Sequence, residues 1–433
     1  MSKFEQPKQL YRLSATQIVA GIEEGAFTAE AVMRECLERI AERDSLIRAW
    51  VAVDAEKCLD EARRLDRGPF RGPLHGVPFG VKDVIDTADL PTQMGSPLYK
   101  GHRTPYDASC VALARSAGAI VMGKTATAEF AGTAPPATRN PLNPDHTPGG
   151  SSSGSGAAVA DYMVPLAYGT QTGGSTLRPA SFCGVIGFKP TFGTYNPVGV
   201  KPAAESFDTL GLIARSIDDI ELFHAVLVGD KPNLSSLPDV APRIGVCRTH
   251  LWNTAQPESV HAIDDTIRRL EAAGASIVNV MPPFDFDQLT SHRVVINAYE
   301  RARGLAAEWF NGRDCLTPNM IRTCEAGFAV LREEYVNSLR FVEQYRFSVG
   351  SCFSGIDALL TPAVAGEAPR GIDYAGDPRF QELWTLLHVP TITLPTHRGP
   401  NDLPVGVQFV APRYHEPQLF AVARWVENQL DRG

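Results

Sequence analysis

No stretch of this 433-residue chain reaches the roughly 18 consecutive apolar residues that a membrane-spanning helix needs. The opening MSKFEQPKQLYRL holds no apolar core followed by a small-residue cleavage site, so no secretory signal is expected and the chain reads as cytoplasmic. A basic excess is also missing: 41 Lys and Arg stand against 49 Asp and Glu, for a net charge of −8. That balance favours solubility and argues against a general nucleic-acid binder, and with no spanning run no membrane partner is expected. The eight cysteines are dispersed, with no CxxC pair, no HExxH and no Cys/His cluster. They predict reduced thiols, no metal site and no cofactor.

What is present is ordinary globular composition, 44% hydrophobic and 21% charged, enough for a sizeable core. Leu13, Ser14 and Gln17 form a staple and capping box ahead of a helix that should stop at Gly25. Thr28 caps the next helix, on which Val32, Cys36 and Ile40 share a face. Residues 72–86, GPLHGVPFGVKDVID, read as a short apolar strand interrupted by Lys82. In ALARSAGAIVMGK (112–124) and RRLEAAGASIVNV (268–280) a helix ends at a glycine and an apolar strand follows; RIGVC (243–247) precedes the second. Helices alternating with short buried strands predict an α/β fold, a central mixed sheet covered by helices on both faces. The region after about 230 becomes more helical, strand character returns at 355–363 and 388–395, and a closing helix spans roughly 416 to 430. No boundary divides the chain, so one domain over 1–433 is expected, with a core at about 70–215 and a variable region at about 240–350.

Two segments invite misreading. GAIVMGKT (118–125) satisfies the spacing of a phosphate-binding P-loop, but that loop needs a strand before the first glycine and a helix opening at the lysine. Here a helix precedes Gly118 and strand formers follow it, so Gly118 reads as a helix C-cap. Residues 149–194 are rich in Gly, Ser and Thr like a linker, yet AAVADYMVPLAYG and FCGVIGF inside them are core-forming runs.

The chemistry concentrates in that second segment. GTQTGGS puts Ser175 directly after two glycines, where exposed backbone N–H groups can form an oxyanion hole. Ser175 is the candidate nucleophile, with the amides of Thr172, Gly173, Gly174 and Ser175 as donors. A serine needs a base. None of the ten histidines sits in a patterned context nearby, whereas Lys82 lies alone in an apolar run. An unperturbed lysine titrates near 10.4, so holding one neutral at pH 7 costs roughly 4.6 kcal/mol, a shift that burial can supply. The competing reading is a strand-end lysine paired with Asp83, and spacing alone favours neither.

Residues 147–191, TPGGSSSGSGAAVADYMVPLAYGTQTGGSTLRPASFCGVIGFKPT, strongly resemble the amidase signature family. So do GPLHGVPFGVKDVID, GAIVMGKTATAEFA and LPVGVQFVAPRYHEPQLFAVA, which extend the similarity over most of the chain. The resemblance implies a Ser–Ser–Lys set in which Ser175 attacks, Lys82 is the base and Ser151, following a cis Gly150–Ser151 bond, bridges them. It implies a hydrolase of linear amides, a small-molecule amide as partner, and a possible homodimer. Ser152, Ser153 and Ser155 are expected to bond locally.

Many members carry GTDTGGSIRxPA where this chain has GTQTGGSTLRPA. Gln171 replaces an acid, and Arg178 stands three residues after the nucleophile, as in malonamidase-type members. Arg178 therefore either anchors a substrate carboxylate or braces the loop. Three functions follow: a stand-alone amidase, the glutamine-hydrolysing subunit of a tRNA-dependent amidotransferase, and a non-catalytic binding protein on the same fold.

Overall fold

The computed structural model describes residues 9–234, 237–238, 240–282 and 285–430. From the amino end, α1 (Ala15–Glu23) and α2 (Ala29–Ile47) precede β1 (Trp50–Val53) and α3 (Ala55–Arg67). The Ser14 hydroxyl accepts from Gln17 N while the Gln17 side chain accepts from Ser14 N, and Thr28 caps α2 through Ala31 N. These are the helix starts predicted from sequence.

The central segment runs β2 (Pro78–Lys82), α4 (Ser109–Ser116), β3 (Ile120–Thr125), α5 (Ser153–Ala160), β4 (Leu166–Gln171), α6 (Leu177–Cys183), β5 (Ile186–Lys189), β6 (Thr209–Ala214) and α7 (Ile217–Val228). A second strand–helix–strand unit follows: β7 (Arg243–Val246), α8 (Pro257–Ala272) and β8 (Ser276–Asn279). Then come four helices, α9 (Phe286–Gly304), α10 (Ala306–Gly312), α11 (Pro318–Ala329) and α12 (Arg332–Ser348). The chain closes with β9 (Ala358–Pro362), α13 (Arg379–Leu386), β10 (Thr391–Arg398), β11 (Pro404–Val410) and α14 (Glu416–Leu430).

Among the described residues the eleven strands form one mixed sheet in the order β1-β3-β2-β4-β6-β5-β10-β11-β9-β7-β8, flanked by helices. The pairs β2–β3, β2–β4, β7–β8 and β7–β9 are parallel. The two helix–glycine–strand segments seen in sequence are thus the crossovers that make β3 and β8 parallel to β2 and β7. β2, β3, β4, β5, β6, β9 and β11 are buried along their whole length, which is why they read as short continuous apolar runs rather than alternating ones.

Gly118, with φ +96°, lies just beyond the α4 C-cap Ala117, and Lys124 belongs to β3, so the P-loop spacing folds as helix cap and strand. The Gly/Ser-rich segment is no linker: from Met163 to Cys183 every residue is buried except Ser175. Small residues are needed where α5 crosses the sheet. A Cβ on Gly154 would overlap Ala49 O and Ala126 N. Gly154→Ala is expected to cost about 1–3 kcal/mol by overpacking, read as a lower urea midpoint at unchanged slope.

Candidate active site

Because β2 and β4 are parallel, their last residues, Lys82 and Gln171, emerge at the same edge of the sheet. This carboxyl-terminal edge is where open α/β sheets place their ligand crevices. The loop carrying Thr172–Ser175 leaves β4 there and turns into α6. The serine run enters from the other side, through a cis Gly150–Ser151 peptide bond, into α5.

Lys82 is fully buried. Its Nζ lies 2.8 Å from Ser151 Oγ, 2.7 Å from Thr170 Oγ1 and 3.4 Å from Thr170 O. The alternative pairing with Asp83 is not what forms: Asp83 Oδ1 instead lies 3.3 Å from Lys124 Nζ, on the other face of the strand. Burial pushes the Lys82 pKa well below the ordinary lysine value; Asp208 opposes this, and the Arg301 and Arg178 guanidiniums reinforce it. Asp208 is itself pushed up by burial, although it accepts a 2.6 Å hydrogen bond from the Thr172 hydroxyl. An amine held neutral keeps two N–H donors and one lone pair. Thr170 supplies both acceptors, leaving the lone pair for the Ser151 hydroxyl.

Ser175 is tied to the serine run through its backbone, Ser152 N donating to Ser175 O at 3.2 Å. Its partial exposure within a buried segment leaves its side chain approachable. Among the described residues no group accepts from the N–H of Gly173 or Gly174, two of the sequence-predicted oxyanion donors. The other serines bond locally, as expected: Ser153 Oγ donates to Gly149 O, Ser155 Oγ to Tyr168 O, and Ser152 Oγ to Thr170 O.

Arg178 is only 5% exposed, and of the two readings held for it the structure shows the brace. One nitrogen, Nη2, donates to Gly150 O and so braces the peptide before Ser151. The other two, Nε and Nη1, are buried and without a partner among the described residues. Burial lowers its pKa to about 10, against Glu382, Tyr374 and Asp377, so it remains a cation at neutral pH.

The site is flanked by two cavities. One of about 590 Å³ reaches Thr170, Asp208, Ala131, Tyr195 and Lys201. The other, about 250 Å³, is lined by Arg293, Glu382, Arg379 and His250 and lies beside the Thr172–Ser175 loop. A Cβ on Gly173 would stand 2.8 Å from Arg293 Nη2, which in turn pairs with Glu382 at 2.8 Å. Sequence reasoning missed Thr170, Asp208, Arg293, Glu382 and Thr385. Thr170 was within reach, since it is the second residue of the same GTQTGGS motif. The others come from distant segments with no motif to mark them.

The family model described as Amidase matches residues 31–420. The chain belongs to the amidase family. It is 32% identical to a glutamyl-tRNA(Gln) amidotransferase subunit of Thermobifida fusca, over 98% of this chain and 96% of that one. Among solved structures it is similar to an amidase (30% identity, TM-score 0.89, 96% of this chain and 100% of that one). It is also similar to the peptide amidase of Stenotrophomonas maltophilia (26% identity, TM-score 0.85, 98% of each chain). The family confirms the α/β architecture expected from sequence and a hydrolase acting on carbon–nitrogen bonds. Among the described residues no helix is long and apolar enough to cross a membrane.

The buried lysine has a thermodynamic signature. Between its depressed folded pKa and about 10.4, only the unfolded chain binds this proton, so the Lys82 contribution makes stability rise with pH. Lys124 and Lys189 are also lowered, so the difference between wild type and Lys82→Met isolates this group. That difference in unfolding free energy, from urea midpoints across the window, is expected to grow with pH. A flat difference would mean that Lys82 titrates at its ordinary value.

Proposed function

We propose that this chain hydrolyses a small amide through an acyl-enzyme on Ser175, with Ser151 as proton bridge and Lys82 as base. The observation carrying the proposal is the 2.8 Å approach of a fully buried lysine amine to Ser151, with no carboxylate among the described residues bonded to that amine. Neutral Lys82 takes the Ser151 proton, Ser151 takes that of Ser175, and Ser175 Oγ attacks the carbonyl carbon. The negative charge passes to the carbonyl oxygen, which accepts from the amides of Thr172, Gly173, Gly174 and Ser175. As the C–N bond breaks, the relay returns the proton to the departing amine. Water, deprotonated by the same relay, then releases the carboxylate and regenerates Ser175.

Two buried, unpartnered nitrogens on Arg178 favour a substrate that carries its own carboxylate, since a guanidinium matches that group bidentately. The second reading, glutamine hydrolysis within a tRNA-dependent amidotransferase, is favoured by the name of the 32% identical relative. The relatives support it better than they support a stand-alone amidase of another substrate. Both readings ask Arg178 to hold a carboxylate; they differ in whether ammonia is released or passed to a partner protein. Co-purification with that partner, and ammonia transfer dependent on it, distinguishes them.

Intact-mass analysis after treatment with a serine-reactive fluorophosphonate tests the catalytic set. Wild type is expected to gain one adduct, Ser175→Ala none, and Lys82→Ala one formed far more slowly. No adduct on the wild type would overturn hydrolysis and leave a binding protein on this fold. Arg178→Lys is expected to lose ten-fold or more in kcat/KM on acidic amides while changing little on neutral ones. Equal loss on both would reduce Arg178 to a brace.

A further inference from the structure

Gln171 stands where many family members have an acid, and its amide is used at both ends. The Oε1 atom accepts from Thr176 N at 2.9 Å and Leu177 N at 3.1 Å, the free donors at the start of α6. Two backbone donors require an acceptor there, so the amide orientation is determined and Nε2 must face the other way. Nε2 lies 3.0 Å from Thr385 Oγ1, on α13. Thr385 Oγ1 in turn lies 2.7 Å from Gly173 O and 3.2 Å from Gln381 O. A hydroxyl has one proton. With Nε2 donating into its lone pair, Thr385 gives that proton to the nearer carbonyl, Gly173 O.

This bond bears directly on the oxyanion loop. Among the described residues the only cis peptide is Gly150–Ser151, so the Gly173–Gly174 peptide is trans. In a trans peptide the C=O and the following N–H point in opposite directions. Drawing Gly173 O toward Thr385 therefore turns the Gly174 N–H away from α13. The loop is otherwise soft, because consecutive glycines resist rotation least. We propose that Gln171 and Thr385 form a positioning relay that sets the Gly173–Gly174 peptide plane and so aims the Gly174 N–H at the oxyanion. Both are positioning residues, and the inference rests on Ser175 being the nucleophile. A carboxylate at 171 would still accept from the α6 amides but has no N–H for Thr385. The threonine hydroxyl would then turn to the carboxylate and release Gly173 O.

The second-order rate of Ser175 phosphonylation by a fluorophosphonate, whose P=O occupies the oxyanion position, reads the relay directly. It is measured with the melting temperature of each variant. Gln171→Glu, which keeps length and cap acceptor, and Thr385→Val, which keeps shape, are each expected to slow labelling ten-fold or more; full loss of an oxyanion donor costs about 10²–10³. Thr385→Ser is expected to label within about three-fold of wild type, and the double variant to be little slower than the worse single one. On an amide that the wild type turns over, the loss is expected in kcat with KM nearly unchanged. If Gln171→Glu does not fold, the Val and Ser variants at 385 decide alone. Folded variants that label at the wild-type rate overturn the relay while leaving the serine mechanism intact, and so does a failure of Thr385→Ser to restore labelling. A wild type that takes no label overturns both.

Discussion

The structure turns on a lysine kept out of water with, among the described residues, no carboxylate bonded to its amine. Lys82 ends a strand buried on both faces, and the groups meeting its amine are the Ser151 hydroxyl and the hydroxyl and carbonyl of Thr170. Hydroxyls and carbonyls satisfy an amine's hydrogen bonds without the Coulombic stabilisation that a carboxylate gives an ammonium. The nearby charges are mixed, with Arg301 and Arg178 opposing protonation and Asp208 favouring it. A neighbouring strand resolves the same problem differently. Lys124 on β3 is equally buried but has Asp83 within 3.3 Å. Residues adjacent in sequence, Lys82 and Asp83, are thus separated by the strand's alternation into two unlike environments.

Around that amine the molecule divides its labour by segment. β2 and β4 bring Lys82 and Thr170 together, and the turn into α5 delivers Ser151. α6 carries Arg178, whose bond to Gly150 O links the helix after Ser175 to the peptide before Ser151. α9 and α13 contribute Arg293 and Glu382, which close over Gly173. The Thr172–Ser175 loop is therefore enclosed by chain from two distant helices, and the glycines are what permit such close approach.

A buried guanidinium with two unpartnered nitrogens is a costly arrangement, since an unsatisfied buried donor forfeits its hydration. The carboxylates of Glu382 and Asp377 act on Arg178 through space, and Glu382 is already engaged by Arg293. The one bond Arg178 makes, from Nη2 to Gly150 O, leaves that cost standing in the protein by itself.

Local patterns determined much of this protein in advance. The capping box at Ser14, the helix–glycine–strand units ending at β3 and β8, and the closing helix at 416–430 all rest on short-range spacing or on a contiguous motif. Each is a choice that a few neighbouring residues make among a small set of backbone shapes. The sequence could not choose between Asp83 and Ser151 as the partner of Lys82, because strand alternation decides which face each side chain takes. Nor did it locate Thr385, Arg293 or Glu382. These lie more than a hundred residues from Gly173, and their contacts exist only once α9 and α13 have packed beside the sheet edge. Helical periodicity fixes which face of a helix is apolar, but not which loop that face will meet. The Gly/Ser-rich segment that carries Ser151 and Ser175 is accordingly legible as one stretch of chain, and the side chains that wall it in are assembled by tertiary packing.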